Sequence, residues 1–157
     1  MAWSASKIGM SFLEDVFENT TAIDLNSDTF KIALYDNDIT PDQTVASASF
    51  AYNAGQWASA GNEVSDTTEW PSTGQALGSV TSAFASNVYT FDAADEVSDG
   101  TSATLANVYG GFIYDDTIAA PVADPGICYL YFGGVNSVTD GTFTIQFHAS
   151  GLFTITA

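Results

Sequence analysis

A chain of 157 residues with nineteen acids, two bases and a formal net charge of −17 has almost no cations with which to displace counterions from a nucleic acid. The same deficit disfavours an anionic membrane surface, so neither partner is expected. An apolar share of 46%, with 13% aromatic residues, supports a packed core and argues against disorder, and one domain spanning residues 1–157 is the expectation at this length.

The N-terminal residues hold no long apolar stretch, so no signal peptide is expected. Residues 4–19 read as an amphipathic helix. Ile8, Phe12, Leu13, Val16 and Phe17 fall within one half of its circumference, and Lys7, Ser11, Glu14 and Glu18 on the other. Glu14, Asp15 and Glu18 crowd the C-terminal end, where the helix dipole prefers cations. The helix therefore depends on its apolar face, and Phe12, Val16 and Phe17 are candidate packing or interface residues. Residues 29–35 alternate Phe30, Ile32 and Leu34 as a strand, ended by the turn chemistry of Asp36-Asn37-Asp38 and Pro41.

Residues 43–75 lack a clear period. They carry Tyr52, Trp57 and Trp70 among small polar residues, which predicts an ordered excursion with one helical turn and one short strand. Trp57 and Trp70 join the candidate packing or interface residues, with stacking on sugars as the other reading. A strand up to residue 85, the turn Ser86-Asn87 and a returning strand at 88–92 read as a hairpin. Residues 93–103 read as an acidic surface loop. Residues 108–114 form a strand in which Gly110-Gly111 marks a bulge or a close contact. Residues 127–132 are nearly all apolar and read as a central strand, with the lone Cys128 as a buried small hydrophobe.

Gly133-Gly134 and Asp140-Gly141 bracket a loop into residues 141–157, where Phe143, Ile145 and Phe147 alternate with polar residues and Phe153 and Ile155 resume the pattern. This last block is expected to be the central β element, with its end tied into the sheet. The whole reads as an all-β domain of about seven or eight strands, a β-sandwich or jelly-roll-like fold, with one N-terminal helix.

No motif commits the chain to catalysis. Asp24-x-Asn26-x-Asp28 matches the start of an EF-hand loop, but Thr29 and Tyr35 stand where glycine and glutamate are required. Turn-forming acids explain it, so no metal and no cofactor are expected. His148 is the only histidine, and no nucleophile elbow accompanies it. Asp115-Asp116 and the Asp92, Asp95, Glu96 group stand beside turns, where aspartate is common. Acid pairs for glycoside hydrolysis stay open at this level.

Several segments in order suggest a family. They are DTFKIALY at 28–35 behind an N-terminal helix, GQAL at 74–77, VYTFDAAD at 88–95, and ATLANVYG at 103–110 with IYDD at 113–116. YFGG at 131–134 and DGTFTIQF at 140–147 complete the series. Their order resembles small virion structural proteins of tailed bacteriophages, of the head decoration or cement type. The resemblance implies a β-rich, non-enzymatic protein on the outer surface of the capsid, bound to the major capsid protein and often a homotrimer. It supplies no catalytic residues. A phage tail or receptor-binding component is the first alternative, and a carbohydrate-binding module is the second.

Overall fold

A computed structural model describes residues 3–156. Met1, Ala2 and Ala157, the last of which closes the C-terminal apolar block, lie outside the described residues.

In chain order the elements are β1 (Lys7–Ile8), α1 (Met10–Glu18), β2 (Phe30–Tyr35), β3 (Glu63–Val64), β4 (Gln75–Ala76), β5 (Thr81–Ala85) and β6 (Val88–Asp92). β7 (Glu96–Val97), β8 (Ala103–Asp115), β9 (Gly126–Gly141), β10 (Thr144–Ile145) and β11 (Phe153–Thr156) follow. Among the described residues strands take 41% and helical turns 10%, which makes the fold β-rich, with three antiparallel sheets and one α-helix. Eleven strands among the described residues exceed the expected number because β1, β3, β4, β7 and β10 have two residues each. Pairs that short carry no periodicity to read.

The six-stranded sheet has the order β1-β9-β8-β2-β3, with β4 also on β2. Its spine is the long β8–β9 hairpin, with β2 laid antiparallel on β8 from Phe30↔Asp115 to Tyr35↔Gly110. Residues 133–140, expected as a loop, continue β9 as strand, because they pair back onto β8 through Val108↔Asn136 and Leu105↔Val138. Three-residue slippage around Gly133-Gly134, both at positive φ, absorbs the extra length as a bulge. The other sheets are β11-β6-β5 and β10-β7. The hairpin β5–β6 turns through Ser86 and Asn87 at φ 50° and 64°, the two left-handed residues that a tight hairpin turn requires.

The C-terminal block is thus not the central element. β10 and β11 are short outer strands, and the centre is β8–β9–β2. The alternation at the C-terminus was real, since Phe143, Ile145 and Phe153 are buried. Alternation reports a buried face, though, and does not place a strand within its sheet.

Period two along the central strands divides the core in two. On one face Ile32, Leu34, Ile113 and Cys128 meet Trp70, Phe91, Phe143, Ile145 and Phe153. On the other, Ala33, Tyr35, Phe112, Tyr114 and Tyr129 meet Trp3, Phe50 and Trp57. Residues 45–57 cover this second face with two 3₁₀ turns, Ser47–Ser49 and Gly55–Trp57, whereas β3 extends the sheet beside β2 and Trp70 joins the first core. Trp57 stacks on Phe112 at 4.1 Å and 13°, and Tyr52 on Tyr114 at 4.6 Å. The Tyr35 and Tyr114 hydroxyls donate to the carbonyls of Trp57 and Thr73, each at 2.6 Å, which pins the excursion to the sheet.

The helix is shorter than its sequence pattern. Residues 7–8 pair with Tyr129 and Cys128 of β9, and the Gly9 N–H donates to the Ile127 carbonyl, so the chain is extended until Met10. Asn19, at φ 54°, closes α1 and donates to the Asp15 carbonyl. The buried face is Ser11, Phe12 and Asp15. Asp15 accepts hydrogen bonds from the Thr20 and Ser47 hydroxyls at 2.8 and 2.9 Å. These bonds satisfy a carboxylate that would otherwise be costly to bury, and they rotate α1 so that Val16 and Phe17 face outward.

Gly110 lies where β8 passes under Trp3. A Cβ there would collide with the Trp3 ring and the Leu130 carbonyl. Gly110→Ala should therefore destabilise the fold by about 1–3 kcal/mol, read as a lower urea midpoint with an unchanged slope.

Candidate functional site

Most polar chemistry is consumed locally. Asp24 accepts from the Asn26 N–H at 2.9 Å and the Ser27 hydroxyl at 2.7 Å. Asp42 accepts from the hydroxyl and N–H of Thr44, and Asp66 from the N–H groups of Thr104 and Thr68. These bonds hold the three carboxyls below their ordinary range, chiefly through Ser27, Thr44 and Thr104 respectively. They act as turn acceptors, as the sequence suggested for Asp24. His148 is exposed, and its Nδ1 accepts from the Ser150 N–H at 3.1 Å. Cys128 is buried in the first core, where desolvation pushes its thiol up to about 12. Among the described residues no three metal-ligating side chains cluster, and no helix is long and apolar enough to cross a membrane.

Trp57 and Trp70 are fully buried and offer no face to a sugar. Both pack: Trp57 on Phe112, and Trp70 edge-on to Phe143 at 5.8 Å. Phe12 is buried too, edge-on to Phe153 at 5.8 Å. Of the five residues singled out from sequence, only Val16 and Phe17 reach the surface, and Phe17 is 75% exposed.

Two apolar surfaces result. Along α1, Met10, Leu13 and Phe17 line a shallow hollow with Val45. On the second sheet, Phe84, Tyr89 and Ile155 stand in register across β5, β6 and β11. Two residues along the same strands, and so on the same face, Phe91 and Phe153 are buried in the first core. The inner face of this sheet therefore overhangs the core, leaving Phe84 68% and Ile155 39% exposed. Sequence reasoning missed this row. The hairpin was legible, but which end of it projects past its neighbours depends on the other sheet.

A third feature is a groove of about 590 Å³ between β9 and the segment around β10, floored by Leu130, Phe132, Ile145 and Leu152. Comparison with protein-family models, curated proteins and solved structures finds no match to this chain.

The one strongly perturbed acid is structural. Asp115 is fully buried at the end of β8, and one of its oxygens, Oδ2, has no hydrogen-bond partner. Its Oδ1 accepts from the Thr117 N–H at 2.8 Å. Desolvation, reinforced by the neighbouring Asp28 carboxyl, pushes Asp115 from 3.8 up to about 7. Burial also raises Glu63, Glu96 and Asp124. A carboxyl raised in the folded state binds its proton more tightly there than when unfolded. The stability it contributes is present at low pH and lost as pH climbs through the folded value. Thermal stability should therefore fall between about pH 4 and pH 7. Asp115→Asn, which keeps the neutral shape, should flatten that slope in melts recorded across the range.

Proposed function

We propose that this protein is a non-enzymatic structural component that docks on an assembled particle, in the manner of a head decoration protein of a tailed phage. The observation that carries this is the end of the Phe84–Tyr89–Ile155 row, where Phe84 and Ile155 project past the core that half-buries Tyr89. Contiguous apolar surface on a folded domain marks a contact with another protein. The order of segments that resembles phage virion proteins supports placing that contact on the outside of a capsid, against the major capsid protein. Binding only the assembled state stabilises that state by mass action.

In this reading the six-stranded sheet and the shorter sheets are the two layers of a β-sandwich. The edge-on contact of Phe30 in the first with Phe91 in the second, at 5.2 Å, supports it. The protein acts as a homotrimer. Each copy brings a charge of −17 and only two cations, so contacts between copies are apolar or main-chain in character.

Two measurements test this. Phe84→Asp and Phe17→Asp change exposed side chains, so each should leave the melting temperature within a few degrees while reducing occupancy on purified heads at least about tenfold. Full occupancy by both variants would overturn the docking assignment. Self-association should tighten from low to moderate salt, because repulsion is screened over ~8 Å at physiological ionic strength and over ~30 Å at 0.01 M. Sedimentation at the two salt concentrations reads this, and dissociation on adding salt would point to ion pairs instead.

A further inference from the structure

The three-stranded sheet β11-β6-β5 ends in two open edges. Among the described residues no strand lies beyond β5 on one side or beyond β11 on the other. Which main-chain groups stand free follows from the hairpin. A two-residue turn makes its flanking pair, Ala85 and Val88, a hydrogen-bonded one. Bonded and non-bonded pairs then alternate along an antiparallel ladder. Ala83 and Thr81 therefore also face β6, while Ser82 and Phe84 turn their N–H and C=O groups outward. On β6, Val88 and Thr90 serve β5, so Tyr89 serves β11 through Ile155. Thr154 and Thr156 then turn their main chain to the outer side of β11. Among the described residues, no turn, loop or side chain takes up these outward groups.

Neither edge is guarded. β5 reads TSAFA and β11 reads FTIT, without Asp, Glu, Lys, Arg or Pro, the residues that commonly keep free edges apart. Copies of a chain that carries −17 repel one another. An uncharged strand edge is where two of them approach at least cost.

The side chains point to the same contact. Phe84, Tyr89 and Ile155 form one row across the sheet. Its two ends are the exposed ones, and Tyr89 between them is half-buried. Each exposed end stands on one of the two open edges.

We propose that β5 of one copy pairs in parallel with β11 of the next, which joins the three-stranded sheets of the homotrimer into one closed ring. The assignment rests on the homotrimer proposed above and names its contact. β5 and β11 both run antiparallel to β6, so they share one direction. Neighbouring copies in a trimer differ by one third of a turn. Two strands stay aligned under that rotation only when the axis runs along them, so the joint is parallel. Such a rotation carries no shift along the axis, and it sets Phe84 of one copy level with Ile155 of the next. In a parallel ladder a residue bonds to the two that flank the one opposite it. The open groups of Phe84 then meet Thr154 and Thr156, the residues of β11 whose own groups face outward. Main-chain edges make this joint, and the face of the row stays available to the particle. Pairing β5 with β5 about a two-fold axis would leave the edge of β11 open.

The test uses the full chain. Phe84→Cys combined with Ile155→Cys places two thiols on adjacent strands of neighbouring copies, within the separation a disulfide spans. Within one copy β6 lies between them, and Cys128 is buried. Mild oxidation of the double variant should give covalent dimers and trimers on a denaturing gel, and neither single variant should be linked. Dimers from Phe84→Cys alone would overturn the proposal in favour of β5 against β5. A trimer in sedimentation of the unaltered chain, with no linkage of the double variant, would overturn this joint and leave the homotrimer standing. An unaltered chain that sediments as a monomer would overturn both. Ser82→Pro removes one outward N–H at an edge position that tolerates proline. It should weaken self-association at least about tenfold with an unchanged circular-dichroism spectrum, and undiminished association would overturn the pairing. The disulfide comparison decides the matter even where Ser82→Pro fails to fold.

Discussion

The structure depends on burying one short ladder from both sides. β2 and the proximal halves of β8 and β9 present Ile32, Leu34 and Ile113 to one core and Tyr35, Phe112 and Tyr114 to the other. A sheet buried on both faces needs two covering layers. One is supplied by the later strands, through Phe91, Phe143 and Phe153. The other is the irregular run between β2 and β4, which is held by the Trp57–Phe112 stack and the Tyr35 and Tyr114 hydroxyls. That run is ordered because its aromatic side chains and carbonyls are consumed by the sheet. It has little regular structure of its own to keep it so.

The same economy governs the charge. Carboxylates at turns accept neighbouring N–H and hydroxyl groups, which lets Asp24, Asp42 and Asp66 act as backbone caps. Buried Asp15 is satisfied by two hydroxyls, whereas Asp115 is left with an unpartnered oxygen beside Asp28 and is stabilised by keeping a proton. Lys31 meets Asp116 at 2.9 Å across the partly exposed end of the ladder, an arrangement that contributes modestly at most. With so few cations, neither the fold nor a contact between two copies can be built from many ion pairs.

Three uncovered features of the surface are rich in apolar residues. The overhanging row on the second sheet, the outward side of α1 and the groove between β9 and β10 differ in kind. The first two offer side chains to a flat contact. The groove is concave, with Leu130, Phe132, Ile145 and Leu152 among its lining. Native proteins usually protect strand edges. Here β1 protects the outer edge of β9 at Cys128 and Tyr129, and Ser6 continues that protection at Tyr131.

Local chemistry in the sequence was enough to determine the β-rich class, the β5–β6 hairpin with its Ser86-Asn87 turn, the burial of Cys128, the close approach at Gly110, and the turn role of Asp24. Each rests on neighbours within a few residues, on composition, or on the absence of a side chain. Tertiary structure decided the rest. It shortened α1, because residues 7–9 are claimed by β9. It turned Val16 and Phe17 outward, because Asp15 finds hydroxyls inside. It buried Trp57 and Trp70 and placed the C-terminal strands at the margin. It also joined Asp115 to Asp28 and set β9 beside β10 across one groove. Periodicity records that a residue has a buried face, whereas the partner of that face lies tens of residues away in sequence and appears only once the sheets have packed.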